Sequence, residues 1–147
     1  MAAQVQRGIE WVHQNVSPDV VLCAHSSGAH LSACALVKLS VVRSALLISG
    51  VYDLLPVRLS ARNDYVRLDE KLEQEYSPIR HADRIKARVT VGWGEHDNAE
   101  FRRQSQAFAA KLSAPTLVGK GLNHFDFVET LADPRSPLGR VALTMLQ

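Results

Sequence analysis

The sequence predicts an α/β fold, a parallel sheet with helices on both faces, formed as a single domain over residues 1–147. Three observations predict it. Short apolar runs recur along the chain, amphipathic helical patterns separate them, and Gly, Ser or Pro residues mark the joins. Strands that alternate with helices are typical of right-handed βαβ units, and 147 residues is the length of one domain.

The chain opens with a helical pattern that is followed by a strand. Apolar residues recur at helical spacing until Ser17-Pro18-Asp19 ends the pattern; they are Val5, Ile9, Val12 and Val16. Residues 20–24 read Val-Val-Leu-Cys-Ala, a continuous apolar run that predicts a strand buried on both faces of the sheet. The turn at residues 25–28 then leads into small residues, which predicts a helix packed closely against that sheet.

Three further strands are predicted at Ser44–Ser49, Val89–Trp93 and Thr116–Val118. Between the last two, an apolar stripe from Phe101 to Leu112 predicts an amphipathic helix. The segment from Asp53 to Ala87 is polar and rich in charge. It is either a solvated helix with loops or a partial lid over a site.

Composition narrows the class of partner. The 17 basic residues are interleaved with 15 acidic ones, for a net charge of +2, so neither nucleic acid nor an anionic membrane surface is expected as a partner. A small molecule is the expected partner. Cys23 and Cys34 lie in apolar surroundings and are interpreted as buried, reduced thiols, which favours a cytoplasmic location.

Chemistry-bearing residues are expected where the strands end, because ligands of open α/β sheets bind beyond the carboxyl ends of strands. After the first strand comes Ala-His-Ser-Ser-Gly, a G-x-S-x-G pattern with Ala in the leading position. This sharp turn needs tiny residues two before and two after its serine. Ala24 and Gly28 satisfy that requirement for Ser26, whereas Ser27 has His25 and Ala29 at those positions.

A serine hydroxyl becomes nucleophilic at neutral pH when a base, itself oriented by a carboxylate, lies beside it. Asp97 follows the third strand and His124 follows the fourth. The chain order Ser, Asp, His is that of α/β-hydrolases. Glu95 is the alternative acid, although Asp97 is better placed to reach the next loop.

The remaining histidines near these strand ends raise the question of a metal. His25, His30 and His96 have neither the paired helical spacing nor the Cys pairing of metal ligands. They are interpreted as local hydrogen-bonding residues, and no metal is expected.

Four segments carry a family resemblance. They are Val21–His30, Ser49–Leu54, Asp97–Ser105 and His124–Glu129. In this order they resemble the kynurenine formamidases, or arylformamidases, of the α/β-hydrolase superfamily. The patterns His-Ser-x-Gly-Ala-His and Asp-x-x-Glu-Phe-x-x-Gln-Ser are the more specific part of the match.

The resemblance implies the roles of individual residues. Ser26 would be the nucleophile, Asp97 the orienting acid and His124 the base, with the backbone N–H of Ser27 in the oxyanion hole. It implies hydrolysis of N-formylkynurenine to kynurenine and formate without a cofactor. Within the same segments, Tyr52 and Phe125 are the candidates for contact with the substrate.

The sequence also departs from this family, whose members are about twice as long. It contains no Gly-Gly pair and therefore no His-Gly-Gly loop, the family's source of a second oxyanion donor. We therefore expect the C-terminal half of an α/β-hydrolase fold, with an apolar first strand open to self-association. The alternatives are a small-acyl carboxylesterase and a truncated, inactive or partner-dependent half.

Overall fold

The computed structural model describes all 147 residues and contains one four-stranded parallel sheet. The strands are β1 (Val20–His25), β2 (Val42–Ile48), β3 (Arg88–Gly94) and β4 (Thr116–Gly119). Their order across the sheet is the order along the chain. Each predicted strand is present within two residues of its expected bounds, which confirms the predicted parallel sheet.

Eight α-helices and two 3₁₀ segments accompany the sheet. The helices are α1 (Ala2–Asn15), α2 (Ser27–Leu36), α3 (Leu55–Arg58), α4 (Asn63–Val66), α5 (Glu70–Glu75), α6 (Ala99–Leu112), α7 (His124–Glu129) and α8 (Pro137–Met145). The 3₁₀ segments are Pro78–Arg84 and Thr130–Ala132. None of the helices has the length and apolar character needed to cross a bilayer.

The sheet is covered on both faces, as predicted. Right-handed crossovers between strands in sequential order lie on one face of a sheet, and the connections that contain α2 and α6 pack there together with α1. The segments that follow β4, α7 and α8, cover the other face. Strand β2 is buried between the two layers, with Leu47 in the first core and Leu46 and Ile48 in the second.

Strand β1 differs from the prediction that it is buried on both faces. It pairs with β2 on one side only, and Val20 is its one buried residue. Cys23 is exposed, whereas Cys34 is buried, so the expectation that both thiols are buried is wrong for Cys23. An apolar run predicts that a segment forms a strand, but the burial of that strand depends on its neighbours in the sheet. Strand β1 lies at the edge of this sheet and has one neighbour.

The polar segment after β2 forms the short helices α3 to α5. It is anchored by Glu73, whose side chain is 2% exposed and accepts a 2.8 Å hydrogen bond from Arg80. Pro56 and Val57 line a small pocket that also contains Phe101 of α6. Most of residues 59–76 are exposed, so the segment forms short solvated helices joined by loops.

Candidate functional site

Ser26 occupies the tip of a strained turn. Strand β1 ends at His25, helix α2 begins at Ser27, and Ser26 between them has φ 54° and ψ −122°. A positive φ in a residue other than glycine is uncommon and concentrates at functional sites. A Cβ atom on Gly28 would lie 4.0 Å from the Cβ of Ala24, so these two small residues face each other across the turn.

The backbone N–H of Ser27 faces the same turn as the first residue of α2. The first N–H groups of a helix have no intrahelical acceptor, and the N-terminal end carries partial positive charge. The Ser26 side chain makes no capping hydrogen bond to them. The Ser27 N–H therefore has no intrahelical acceptor and lies at the partially positive end of α2.

The side chains of Asp97 and His124 are directly hydrogen-bonded to each other. His124 Nδ1 lies 2.6 Å from Asp97 Oδ1, and their side chains are 18% and 0% exposed. Because a carboxylate only accepts, Nδ1 carries the proton and Nε2 is left as the acceptor. This is the tautomer that a general base requires.

Backbone contacts bring these two residues together. The N–H of His96 donates to the carbonyl of Leu122, which ties the turn that carries Asp97 to the loop before α7. A Cβ atom on Gly94 would lie 2.6 Å from the Leu122 carbonyl oxygen, so only glycine allows this approach. Asn123 then caps α7, whose first residue is His124.

Glu95, the alternative acid, points elsewhere. Its Oε2 accepts a 2.7 Å hydrogen bond from the N–H of Gly121, and its side chain is 41% exposed. That hydrogen bond, and then the charge of Lys120, lower the pKa of Glu95. The carboxylate that contacts His124 is that of Asp97.

Ser49 is a site residue that the sequence analysis missed. It directly follows β2, has φ 50° and is completely buried. Its Oγ donates a 2.6 Å hydrogen bond to Asp97 Oδ2, which also accepts from the N–H of Gly94 at 3.2 Å. Its position at the carboxyl end of a strand was the available signal, since the same criterion found Ser26, Asp97 and His124.

Aromatic rings surround the His124 imidazole. The centroid of Phe101 lies 4.8 Å away, and Phe125 meets the imidazole edge-on at 5.1 Å. Phe125 is 67% exposed and is therefore accessible to a substrate. Helical periodicity assigned Phe101 to the apolar stripe of α6, so its contact with His124 was not foreseen.

Tyr52, the other expected substrate contact, lies in the core. Its side chain is completely buried and stacks on Phe108 at 4.1 Å. Burial raises the pKa of its hydroxyl. The expectation that Tyr52 contacts the substrate is wrong, because α6 packs over the residues that follow β2 and encloses the ring.

Two of the remaining histidines make hydrogen bonds to backbone carbonyls, as expected, but the carbonyls belong to distant segments and are not local. His25 Nε2 lies 3.1 Å from the carbonyl oxygen of His124, and His30 Nδ1 lies 2.8 Å from that of Val51. Burial lowers the pKa of His30 and raises that of the neighbouring Cys34 thiol to about 12, so neither carries charge at neutral pH. His96 is exposed, and no cluster of three or more His, Cys, Asp or Glu side chains has a metal-binding arrangement.

No hydrogen bond joins Ser26 Oγ to His124 in this structure. His25, which precedes Ser26 in the chain, contacts the His124 ring, with centroids 4.5 Å apart. Hydrogen bonds between catalytic groups are often long without a ligand and tighten when substrate binds.

Sequence comparison finds relatives of known activity. The chain is 30% identical to the kynurenine formamidases of Danio rerio and Salmo salar, along alignments that cover 99% of this chain and 56% of each relative. The chain thus spans about half the length of the curated relatives it matches. No protein-family model matches it.

Structural comparison finds solved structures with the same fold. A protein from Silicibacter sp., provisionally described as a thioesterase, superposes with a TM-score of 0.87 at 26% identity, over 95% of this chain and 56% of that one. The acylaminoacyl peptidase of Pyrococcus horikoshii superposes with a TM-score of 0.72 at 17% identity, over 98% of this chain and 26% of that one, which shows the fold alone. The chain therefore has an α/β-hydrolase fold, and in sequence it is similar to the kynurenine formamidases over about half of their length.

Proposed function

We propose that this chain carries the catalytic residues of a serine hydrolase that acts on aryl formamides. The observation that carries the proposal is the 2.6 Å hydrogen bond between Asp97 and His124. The His124 ring contacts His25, the residue before Ser26, and Ser26 stands in a strained turn at a helix N-terminus. The 30% sequence identity to kynurenine formamidases supports N-formylkynurenine as the substrate, with kynurenine and formate as products.

In the proposed mechanism His124 acts first as a base. Its Nε2 takes the proton of Ser26 Oγ, which attacks the formyl carbon, and the Ser27 N–H donates to the resulting oxyanion. The C–N bond then breaks, and protonated His124 gives its proton to the departing aryl amine nitrogen. Water, deprotonated by His124, then attacks the formyl ester, the bond to Ser26 Oγ breaks, and protonated His124 returns the proton to Ser26 Oγ as formate is released.

Asp97 keeps the imidazole in the required tautomer and stabilises its charged form. The exposed ring of Phe125 offers a surface on which an aryl leaving group can stack. No step requires a cofactor.

A second candidate function is hydrolysis of small acyl esters or thioesters by the same residues. It is favoured by the TM-score of 0.87 to the Silicibacter protein provisionally described as a thioesterase. Both reactions pass through an acyl ester on Ser26 and differ in the leaving group.

The test compares initial rates on N-formylkynurenine, p-nitrophenyl acetate and a short acyl thioester, each with the wild-type chain and with Ser26→Ala. Faster hydrolysis of the formamide, lost in Ser26→Ala, supports the formamidase. Hydrolysis confined to the esters supports the second candidate, and rates unchanged by Ser26→Ala contradict both.

The two free cysteines favour a reducing compartment, and we propose the cytoplasm as the site of action.

A further inference from the structure

His25 forms a direct bridge between the turn that carries Ser26 and the helix that carries His124. It is the last residue of β1, and its Nε2 lies 3.1 Å from the carbonyl oxygen of His124, 99 positions further along the chain. Among the hydrogen bonds of the structure, this is the one direct link between the β1–α2 turn and α7.

The chemistry of the contact fixes its direction. A carbonyl oxygen only accepts, so His25 Nε2 carries a proton and donates it. Burial first, and then the charge of His124, lower the pKa of His25, while the hydrogen bond and the charge of Asp97 act in the opposite direction. The ring is therefore neutral at neutral pH, and its charge does not oppose a proton that arrives on His124.

The sheet explains why such a bridge is needed. Ser26 follows β1, whereas Asp97 follows β3, and β2 lies between these two strands. The hydrogen bond to Asp97 fixes the His124 imidazole relative to β3, and through the sheet it is linked to β1 only indirectly, by way of β2. The hydrogen bond from His25 adds a direct link at the residue next to the serine.

We propose that His25 is a positioning residue, whose Nε2–H holds the His124 backbone and so sets the distance from His124 to Ser26. The inference rests on the proposed function, in which Ser26 is the nucleophile and His124 is the base. A misplacement of about 1 Å at reacting groups costs roughly 100-fold in rate. Loss of the bridge is therefore expected to lower kcat and to leave KM nearly unchanged.

Two substitutions separate the hydrogen bond from the ring contact. His25→Gln keeps an N–H donor at similar reach and removes the ring. His25→Phe keeps an aromatic ring at 4.5 Å from His124 and removes the donor. His96→Phe is the matched control, since His96 lies one residue from Asp97 but is exposed and makes no side-chain hydrogen bond.

The main measurement is the rate at which a fluorophosphonate labels Ser26, which reports activation of the serine without depending on the natural substrate. We expect His25→Gln and His96→Phe to label within about threefold of wild type, and His25→Phe to label about 10- to 100-fold more slowly. Labelling by His25→Phe at the wild-type rate overturns the proposal, as does an equal loss in His25→Phe and His25→Gln.

Amide hydrogen exchange in α7 provides a readout that does not require activity. His25→Phe should speed exchange of the amides from Phe125 to Glu129, whereas His25→Gln should not. If wild type and Ser26→Ala show the same lack of labelling, the proposed function fails, and this exchange alone decides the positioning role. Should His25→Phe not fold, His25→Leu takes its place as the variant without a donor.

Discussion

Ser49 Oγ donates a 2.6 Å hydrogen bond to Asp97 Oδ2, while His124 uses the other oxygen of the same carboxylate. Asp97 is thus held by β2 through Ser49 and by β3 through the N–H of Gly94. Ser49 and Ser26 both follow a strand, and both have positive φ. Strained backbone therefore occurs directly after β1 and directly after β2, at the carboxyl ends of neighbouring strands.

Ser49→Ala tests this link. The substitution removes a hydrogen bond to a charged group in the core, and such bonds contribute roughly 1.5 to 3 kcal/mol. We expect a loss of that size in the free energy of unfolding, measured in urea, and slower labelling of Ser26. Ser105→Ala is the control, because Ser105 is completely buried with a hydroxyl that has no partner. Equal effects of the two substitutions would contradict the role of Ser49.

Asp97→Asn tests which acid orients His124. An amide at this position can present its N–H₂ to Nδ1 and hold the wrong tautomer, so turnover should fall by about 10⁴, as in the serine-protease triad. Glu95→Gln should be mild, because Glu95 bonds to the Gly121 N–H and not to His124. The measurement is the steady-state rate of each variant, which shows whether Asp97 or Glu95 orients His124. A severe loss in Glu95→Gln with a mild one in Asp97→Asn would reassign the acid.

Residues 1–147 alone are expected to turn over slowly. The Ser27 N–H supplies one oxyanion donor, and loss of one donor costs about 10² to 10³ in turnover. The sequence has no Gly-Gly pair, so no His-Gly-Gly loop in this chain supplies the second. The measurement is kcat of this chain beside that of the Danio rerio relative on N-formylkynurenine. Comparable values would mean that a donor in residues 1–147 has been overlooked.

Self-association is expected through the open edge of β1. Edge strands present unpaired backbone groups, and here an apolar groove lined by Val21, Leu46 and Leu143 adjoins that edge. Light scattering in a reducing buffer should show dimers or larger species, which Cys23→Lys should reduce. Leu59→Lys, at a position that is 73% exposed and away from β1, is the control. A monomeric wild-type chain would contradict the prediction.

The sequence predicts the strands and their chemistry-bearing ends well. Continuous apolar runs are a local signal, and all four predicted strands are present. The positions after β1, β3 and β4 were found because parallel strands align their carboxyl ends along one edge. Asp97 and His124 are brought into contact by that common edge.

What the sequence did not predict depends on contacts between distant segments. Cys23 is exposed because β1 has a neighbour on one side only. Tyr52 is buried because α6 packs over it, through Phe108, 56 positions away. Ser49 was missed because its role requires β2 to lie directly beside the strand that carries Asp97, and the order of strands is not written in local periodicity.

The most direct test of the central claim is the site at which a fluorophosphonate reacts. The account predicts a single adduct on Ser26, mapped by peptide mass spectrometry, which disappears in Ser26→Ala and persists in Ser27→Ala. Ser26 and Ser27 are adjacent, so the mapping also tests which serine stands at the tip of the turn. An adduct on Ser27, or one that survives Ser26→Ala, would contradict the account.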